Sequence, residues 1–431
     1  MTISRFNDAR ASTTKQKKKL KIAFVVTWFG ENIGGGAEAE CRGLVHHIRK
    51  LRPEAEVEVI TTCLKEFATD WNQNYHPEGF REESGIPVHR FLAMPYHRHG
   101  FGTMNDFRLT PPITSDLHTK RGIKSPLTPN EEDFYIKNMV HSPNLYRFLK
   151  KKRHQYDFFI FMPYMFGITY TGIGLLKRKA IIIPCLHDER YAYMKIYRKM
   201  MKRCGAALFH VPAEMKLANR IYQIKKSRQL LLGEMVDTNP KKGSEQAFRE
   251  TFGIHQPYIL YAGRKITGKN LPLLVSLFTE VKKKPWAKDI QLVIIGSGDL
   301  SYKDLESSGI HDLGFVTKTQ KLDAMAGATM LCQPSLNESF SIVMMEAWLQ
   351  ETPVLAHQQC EVTKDHCEHS GGGLTFRDYK TFEEQLRKAL TQDSMMRDMA
   401  MKGKQYVLDN YSPQMIVDRF VDFLLERKHA W

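Results

Sequence analysis

The chain has 431 residues, of which 42% are hydrophobic, and it carries a formal net charge of +16. The length predicts two or three domains, and the apolar content is ample for buried cores. Its seven cysteines form no Cys-x-x-Cys pair and no even framework, which excludes a disulfide scaffold and favours a reduced, cytosolic protein. The positive charge favours an acidic partner without identifying it.

The first 19 residues are expected to form a disordered basic leader. Residues 1–14 are polar, and the stretch ends in Lys17-Lys18-Lys19. It lacks the apolar core of a secretory signal peptide, so we expect none. The expected location is cytoplasmic, with peripheral attachment to the inner face of the membrane as an option.

A strand, a glycine loop and a helix follow the leader. The strand is predicted over residues 22–26, the loop is Gly34-Gly35-Gly36, and the helix is predicted over residues 37–49. This arrangement lets backbone amides approach a phosphate, although three glycines can equally form a simple turn. The loop lacks the Walker lysine and the Gly-x-Gly-x-x-Gly spacing, so neither a P-loop nor a plain dinucleotide site is supported.

Further strands are predicted at residues 57–61 and 88–91, and then periodicity fades from residue 94 to residue 138. Basic and aromatic side chains alternate in this irregular insertion. An insertion of this kind in a compact domain is usually functional or disordered. An element that binds an acceptor or a surface and a passive insertion both remain open.

A run of 19 uncharged residues, 158–176, is long enough to span a bilayer. Pro163 and three glycines interrupt the run. A buried strand at residues 158–162 followed by a core helix therefore explains it better than a membrane span does.

Two more apolar strands are predicted at residues 180–184 and 205–212. The first of these leads into His187, which would lie at the carboxyl end of the strand. A single histidine of this kind can be structural or catalytic. A polar linker at residues 239–244 places a domain boundary near residue 236.

The second half begins again with a strand at residues 258–262. Arg264 and Lys269 follow it in one loop and could clamp a diphosphate, although such cations are common on surfaces. Residues 291–295 then predict another strand, which runs into the turn Gly296-Ser297-Gly298-Asp299.

The most informative stretch runs from residue 328 to residue 356. It predicts a strand at 328–332, a helix at 342–349 capped by Asn337 or Ser339, and a strand beginning at Val354. Glu338 and Glu346 are separated by seven residues near the start of the helix. In open α/β sheets, ligands bind at this position. Two carboxylates suit the hydroxyl groups of a sugar and a ribose, but an ordinary core helix with two solvated glutamates would look similar.

Beyond this stretch, Cys360-Glu361 and His366-Cys367-Glu368-His369 are possible zinc ligands. Their spacing matches no common zinc pattern, so no metal site is predicted. Helices are predicted from residue 381 onward, and the last one begins at Ser412-Pro413.

Several motifs together resemble glycosyltransferase family 4, whose members are retaining enzymes of the GT-B fold. The matching motifs occur in the expected order: Gly35-Gly36-Ala37-Glu38, Gly263-Arg264 with Lys269-Asn270, Gly296-Ser297-Gly298, Pro334-Ser335, Glu338-Ser339-Phe340-Ser341, Glu346-Ala347 and Pro353-Val354. The family commonly has glycines in the turn where this chain has Ser339 and Ser341.

The resemblance implies roles for individual residues. Glu346 would hold the ribose and Glu338 the sugar hydroxyls, while Arg264 and Lys269 would hold the donor diphosphate. The resemblance also implies that His187 lies near the donor sugar and is catalytic, together with Arg264, Lys269 and Glu338. The remaining implied contacts to the donor are Gly35, Gly36, Gly263, Gly296, Phe315, Val316, Ser339, Phe340 and Ser341. The family's pattern also implies that no metal and no other cofactor is required.

The implied architecture is α/β, with two Rossmann-like domains facing each other across a cleft. Residues 20–235 would form the N-terminal acceptor domain and residues 236–411 the nucleotide-sugar domain. Residues 412–431 would form a helix that packs back on the N-terminal domain. The implied reaction moves a hexosyl group from a nucleotide-sugar to a glycan, lipid-linked or polymer acceptor, with retention of configuration.

Two other classes remain open alongside this prediction. The first is a GT-B nucleotide-sugar epimerase, and the second is a nucleic-acid-binding protein suggested by the net charge. We do not expect nucleic acid as a partner, and instead favour an anionic membrane surface as the target of the basic clusters. These clusters lie at residues 150–153, 198–203 and 282–284.

Overall fold

The computed structural model describes residues 19–31, 33, 36–111, 117–119, 122–298 and 308–430. Most of the expected basic leader and the predicted donor contact Gly35 lie outside these residues. The chain has an α/β architecture with one large sheet in each half. The predicted fold class is confirmed.

The N-terminal sheet has eight strands in the order β10-β9-β8-β7-β1-β2-β4-β3. Neighbouring strands are parallel except for β3, which runs antiparallel to β4. The strands of this half are β1 Leu20–Val26, β2 Ala55–Thr62, β3 Gly79–Glu83, β4 Ile86–Phe91, β5 His118–Thr119, β6 Gly122–Ile123, β7 Phe158–Met162, β8 Ala180–Ile182, β9 Ala206–Phe209 and β10 Gln229–Leu231. Strands β5 and β6 form a separate small ribbon. Every residue of β7 is buried, as expected for a parallel strand covered on both faces.

Helices cover the two faces of this sheet. They are α1 Gly36–Leu51, α2 Arg98–Met104, α3 Pro129–Lys137, α4 Pro143–Lys152, α5 Gly167–Leu176, α6 Lys195–Arg203 and α7 Pro212–Tyr222. The uncharged run at 158–176 is strand β7 followed by helix α5, as predicted. A Cβ on Gly172 of α5 would lie 2.4 Å from the Phe161 ring, so a glycine lets this helix approach the sheet closely. Among the described residues, no helix is both long enough and apolar enough to cross a bilayer.

The insertion at 94–138 is more regular than its sequence suggests. It contains α2, a π-helical turn at Asn105–Leu109, the β5–β6 ribbon and α3. Helix α3 begins with a capping box, in which the Thr128 side chain accepts from the Glu131 amide and Glu131 accepts from Thr128. The prediction of an irregular segment was wrong because these short elements are stabilised by caps and tertiary packing rather than by apolar periodicity.

The C-terminal sheet has six parallel strands in the order β13-β12-β11-β14-β15-β16. Its strands are β11 Tyr258–Ala262, β12 Gln291–Ile295, β13 Ile310–Asp312, β14 Met330–Gln333, β15 Val354–His357 and β16 Gly373–Phe376. The helices of this half are α8 Glu245–Phe252, α9 Leu271–Lys282, α10 Lys318–Ala326, α11 Ile342–Leu349, α12 Glu361–Ser370, α13 Tyr379–Thr391, α14 Asp393–Asn410 and α15 Pro413–Ala430.

The last helix, α15, crosses back to the N-terminal domain, as the fold prediction required. Phe420 stacks on Phe24 of β1 with ring centroids 5.9 Å apart. Arg52 at the end of α1 pairs with Asp418 at 3.0 Å and Asp422 at 2.9 Å. Apolar burial and ion pairs thus join the C-terminal helix to the N-terminal sheet.

Candidate active site

A cleft between the two domains contains two adjoining hollows. The Glu338 hollow has a volume of about 510 Å³, and the Glu346 hollow has a volume of about 520 Å³. The two share the lining residues Gly36, Ala262, Gly263, Arg264, Ile342 and Val343. The loops that follow β11 and β14 therefore meet the start of α1 from the opposite domain, at the carboxyl ends of the strands.

Most residues singled out from the sequence line these hollows. Those in the Glu338 hollow are Gly36, His187, Gly263, Arg264, Lys269, Glu338, Ser339 and Ser341. Those in the Glu346 hollow are Gly36, Gly263, Arg264, Gly296, Phe315, Val316 and Glu346. Gly35 lies outside the described residues, and the side chain of Phe340 lines neither hollow. One continuous cleft thus brings together cations, carboxylates and glycine turns from distant parts of the chain.

Lys269 and Glu338 form an ion pair inside the cleft. The Lys269 Nζ atom lies 2.6 Å from Glu338 Oε1, and only 7% of the Glu338 side chain is exposed. Arg264 is exposed, and its guanidinium has no hydrogen-bond or ion-pair partner among the described residues. Among the described residues, the Glu338 hollow therefore offers one free cation, Arg264, and one cation that is balanced by a carboxylate, Lys269.

Glu346 is held by Lys321, a residue that the sequence did not single out. The Lys321 Nζ atom lies 2.6 and 2.7 Å from the two Glu346 carboxylate oxygens. Lys321 lies on α10, while Glu346 lies on α11, and both line the Glu346 hollow. No local motif signals this contact, because it depends on how two helices pack.

Glycines allow three loops to meet beside the cleft. Gly296 has φ +133°, and a Cβ there would lie 1.9 Å from the Gly263 carbonyl oxygen. The Gly296 amide donates to the Gly314 carbonyl at 2.7 Å. Behind Gly263, Lys265 Nζ pairs with Asp312 at 2.6 Å and joins the loop after β11 to the end of β13. Close backbone contact thus fixes the loop that carries Arg264.

Helix α11 starts without a side-chain cap, so the prediction that Asn337 or Ser339 caps it was wrong. Its N-cap residue is Ser341, in the left-handed conformation at φ +71°. The Ser341 hydroxyl instead accepts from Gln333 Nε2 at 3.1 Å, which keeps the turn against β14. Ile342 and Val343, the first helical residues, line both hollows. An uncapped helix start beside a cleft presents backbone amides to an anion.

Two predicted aromatic residues have different environments. Phe340 is fully buried, and its ring packs edge-on against His366 at 5.2 Å and Tyr411 at 4.9 Å. Its side chain therefore anchors the turn rather than reaching into the cleft. By contrast, 84% of Phe315 is exposed while it lines the Glu346 hollow. This ring is available to stack on a planar ligand.

His187 connects the cleft to a third hollow of about 240 Å³, the α7–α12 hollow. His187 and Glu338 line both this hollow and the Glu338 hollow. Lys216 and Arg220 of α7 line it from the N-terminal domain, and Glu361 of α12 lines it from the C-terminal domain. The cleft therefore continues past His187 into a second compartment.

A buried group of polar residues lies at the base of the N-terminal domain's side of the cleft. His210 Nε2 lies 2.7 Å from Glu40 Oε1, and His210 Nδ1 lies 3.2 Å from Glu214 Oε2. Burial lowers the pKa of His210, but the neighbouring Glu40 and Glu214 raise it by more. The resulting pKa lies well above the usual value of a histidine. The raised pKa favours the protonated form of His210 between the two carboxylates.

Among the described residues, one set of ligand-type side chains falls within 4.8 Å, namely Glu40, Cys185 and His210. The Glu40 and His210 atoms of this set already bond to each other, so their closeness is explained by an ion pair and needs no metal ion. Cys360, His366, Cys367 and His369 form no such set in the described part of the chain. Burial lowers the pKa of His366 to about 3, and its ring packs among aromatic residues.

Comparison with known proteins shows a family match in the C-terminal half. Residues 244–406 match the family model described as "Glycosyl transferases group 1". No curated protein matches the chain. The family match covers the loops that carry Arg264, Lys269, Glu338 and Glu346.

Solved structures with the same fold cover nearly the whole chain. HepE from Anabaena, in complex with UDP and glucose, is 13% identical with a TM-score of 0.62, covering 94% of this chain and 100% of HepE. Sucrose-phosphate synthase from Thermosynechococcus elongatus is 14% identical with a TM-score of 0.66, covering 96% and 100%. WaaG, "a glycosyltransferase involved in lipopolysaccharide biosynthesis", is 15% identical with a TM-score of 0.60, covering 94% and 99%. The chain thus has the fold of GT-B glycosyltransferases, and residues 244–406 of its C-terminal half match the group 1 glycosyl transferase model.

Proposed function

We propose that this protein is a retaining glycosyltransferase of family 4 that transfers a sugar from a nucleotide-sugar to a glycan, lipid-linked or polymer acceptor. The observation that carries the proposal is the meeting of Arg264, Lys269, Glu338 and Glu346 in one cleft between two Rossmann-like domains. The group 1 domain match and the HepE complex with UDP and glucose support it. Its biological setting would be polysaccharide or glycoconjugate synthesis.

The donor would lie across both hollows, with its diphosphate at their junction. Arg264, Lys269 and the first amides of α11 would stabilise the negative charge that develops as the nucleoside diphosphate leaves. Because these groups would neutralise the diphosphate, we propose that the reaction is metal-independent. When the diphosphate binds, Lys269 would be shared between Glu338 and the phosphate oxygens.

The hydroxyl groups of the donor would be held by the two signature carboxylates. Glu338 would accept from the sugar and Glu346 from the ribose, because each lies in a separate hollow. Phe315 would cover the base from the exposed side. Fixing both ends of the donor aligns the anomeric carbon with the acceptor, which converts binding energy into rate.

The acceptor would enter through the α7–α12 hollow. This hollow reaches the reaction centre at His187 and Glu338, and both domains contribute to its walls. Closure of the domains around both substrates would exclude water from the transferred sugar.

An anionic membrane surface is a further proposed partner. Lys150, Lys151 and Arg153 at the end of α4 are exposed, as are Lys199 and Lys202 on α6. Lys282 is instead bonded to the carbonyls of Lys288 and Ile290, so the third cluster contributes less. Co-sedimentation with vesicles tests the proposal. Binding that requires anionic lipid and weakens with salt would support it, and equal binding to neutral vesicles would refute it.

The deciding experiment is a screen of UDP-, GDP-, ADP- and dTDP-glucose by thermal shift, followed by NMR of the transfer product. A true donor raises the melting temperature at saturation. Acceptor-dependent product with the donor's anomeric configuration, formed also in the presence of EDTA, would support the proposal. An isomerised donor without transfer would instead identify an epimerase, and an inverted product would refute retention.

A further inference from the structure

Glu234 is a nearly buried residue that lines the cleft. It lies in the segment between β10 and α8, where the chain passes from one domain to the other. Only 7% of the residue is exposed, yet it lines the Glu338 hollow together with His187, Lys269 and Glu338. Within the described ranges, its carboxyl group has no hydrogen bond or ion pair. Because the residue is nearly buried but borders the hollow, a substrate bound there could supply the hydrogen-bond partner.

The charges around Glu234 favour its neutral form. Burial raises the pKa of Glu234 to about 8, assisted by the negative charges of Glu40, Glu214 and Glu338. His210 opposes this effect, but it is already bonded to Glu40 and lies beside Glu214. One positive charge offsets only one of these two carboxylates, so the three groups together leave a negative charge near Glu234.

The other titratable groups of the hollow do not reverse this balance. Glu38 of α1 accepts from the Trp28 indole N–H at 2.5 Å, and Lys269 is paired with Glu338. Glu189, beyond β8, accepts from the Tyr164 hydroxyl, and burial raises its pKa. Cys185, His187, Tyr261 and Arg264 complete the titratable lining among the described residues. Arg264 is the one cation of the hollow without a partner among the described residues, and it is exposed.

We propose that Glu234 is a further substrate-contacting residue, which donates a hydrogen bond as a neutral carboxylic acid to an oxygen of the sugar or acceptor held in the cleft. The inference rests on the proposed glycosyl transfer and adds a contact that the Glu338 and Glu346 signature does not include. An ionised carboxylate could only accept a hydrogen bond, and it would add negative charge beside Glu338. Ionisation of Glu234 at alkaline pH therefore removes the contact.

Glu234→Gln and Glu234→Ala separate this role from a structural one. The amide of glutamine is neutral and keeps hydrogen-bond donors, whereas alanine removes them. At pH 7, we expect alanine to lower kcat/KM for transfer about tenfold, which is the value of one neutral hydrogen bond, and glutamine to lower it less than about threefold. The wild-type profile should fall above about pH 8, and this alkaline decline should be absent in the glutamine variant.

Binding measurements identify which substrate makes the contact. The probes are UDP-glucose and UDP, or the corresponding pair for whichever nucleotide the donor screen selects. Weaker binding of the nucleotide-sugar to the alanine variant, with unchanged binding of the nucleotide, would assign the contact to the donor sugar. A raised KM for the acceptor alone would assign it to the acceptor. Either result supports the proposal.

A stability measurement distinguishes the loss of the contact from misfolding of the variant. Because the folded-state pKa lies above that of the unfolded chain, the wild type should lose stability relative to the glutamine variant as the pH rises from about 4.5 to about 8. If the alanine variant does not fold, the pH profile of the glutamine variant decides alone. Wild-type kinetics in the alanine variant, or an unchanged alkaline decline in the glutamine variant, would overturn the proposal. A wild-type protein that binds no donor would overturn the proposed function instead.

Discussion

Gly296 provides the most direct test of how the loops around the cleft are held. Its φ of +133° is unfavourable for any residue with a Cβ, and that Cβ would lie 1.9 Å from the oxygen, 2.7 Å from the carbon and 3.3 Å from the nitrogen of Gly263. All three atoms belong to the backbone, so no side-chain rotation relieves the contact. Gly296→Ala must therefore move the loop that carries Arg264.

The expected cost has two parts. A left-handed conformation costs an alanine about 1–2 kcal/mol, and overpacking adds about 1–3 kcal/mol. Gly253→Ala is the matched control, because Gly253 has φ +67° but nothing within 4 Å of its added Cβ. The control should lose only the conformational part, about 1–2 kcal/mol.

Urea denaturation and nucleotide binding together test this prediction. Gly296→Ala should unfold at a lower urea concentration than Gly253→Ala, and it alone should bind the nucleotide-sugar at least about tenfold more weakly, since a loop displaced by the clash misplaces the diphosphate site. If the two variants unfold at the same midpoint and bind the donor equally well, the close loop contact does not position Arg264 and the reasoning fails.

Three further predictions test other parts of the structure. Lys321→Met should weaken UDP binding about fivefold, measured by calorimetry, because the ion pair that positions Glu346 is lost. The loss should be smaller for 2′,3′-dideoxy-UDP, which lacks the ribose hydroxyls. An equal loss for both ligands would contradict the ribose contact. Ser341→Gly should be about 1 kcal/mol more stable than Ser341→Ala in urea, because both lose the hydroxyl but only alanine keeps a strained φ; equal stability would argue against strain. The hydrogen bond from His89 lowers the pKa of Glu58 to about 2, so its contribution to stability is complete above about pH 4.5 and is lost as the pH falls through about 2. Glu58→Gln should flatten the acid limb of the stability profile, and an unchanged limb would count against this assignment.

The sequence predicted the sheet strands well because both parallel sheets are buried on two faces. The predicted bounds of residues 158–162, 258–262 and 291–295 agree with β7, β11 and β12. Continuous apolar runs of this kind are a strong local signal. The fold follows from these strands and their alternation with helices.

Short capped elements were predicted less well. The Thr128-Pro129-Asn130-Glu131 sequence carries the full capping-box signal of α3, yet it lies in an insertion with little apolar periodicity. Ser341 was missed as the N-cap of α11 because serine rarely adopts a positive φ, and Gln333 from the preceding strand supports it there.

Contacts between distant residues explain what the sequence did not predict in the candidate site. Lys321 and Glu346 are 25 positions apart, and Lys269 and Glu338 are 69 apart. The spacing of residues along the sequence does not predict such pairs, since they depend on how loops and helices pack in three dimensions. Glu234 was overlooked for the same reason, because its burial and its unpartnered carboxyl group are properties of the folded cleft.

The central claim is that the cleft uses its cations to stabilise a departing nucleoside diphosphate. The most direct measurement is kcat for sugar transfer by Arg264→Met, with Lys318→Met as the control on an exposed lysine of the same domain. We predict a loss of about 100-fold for Arg264→Met and wild-type turnover for the control, as for other residues that stabilise a developing anion. Equal turnover in the two variants would contradict the account.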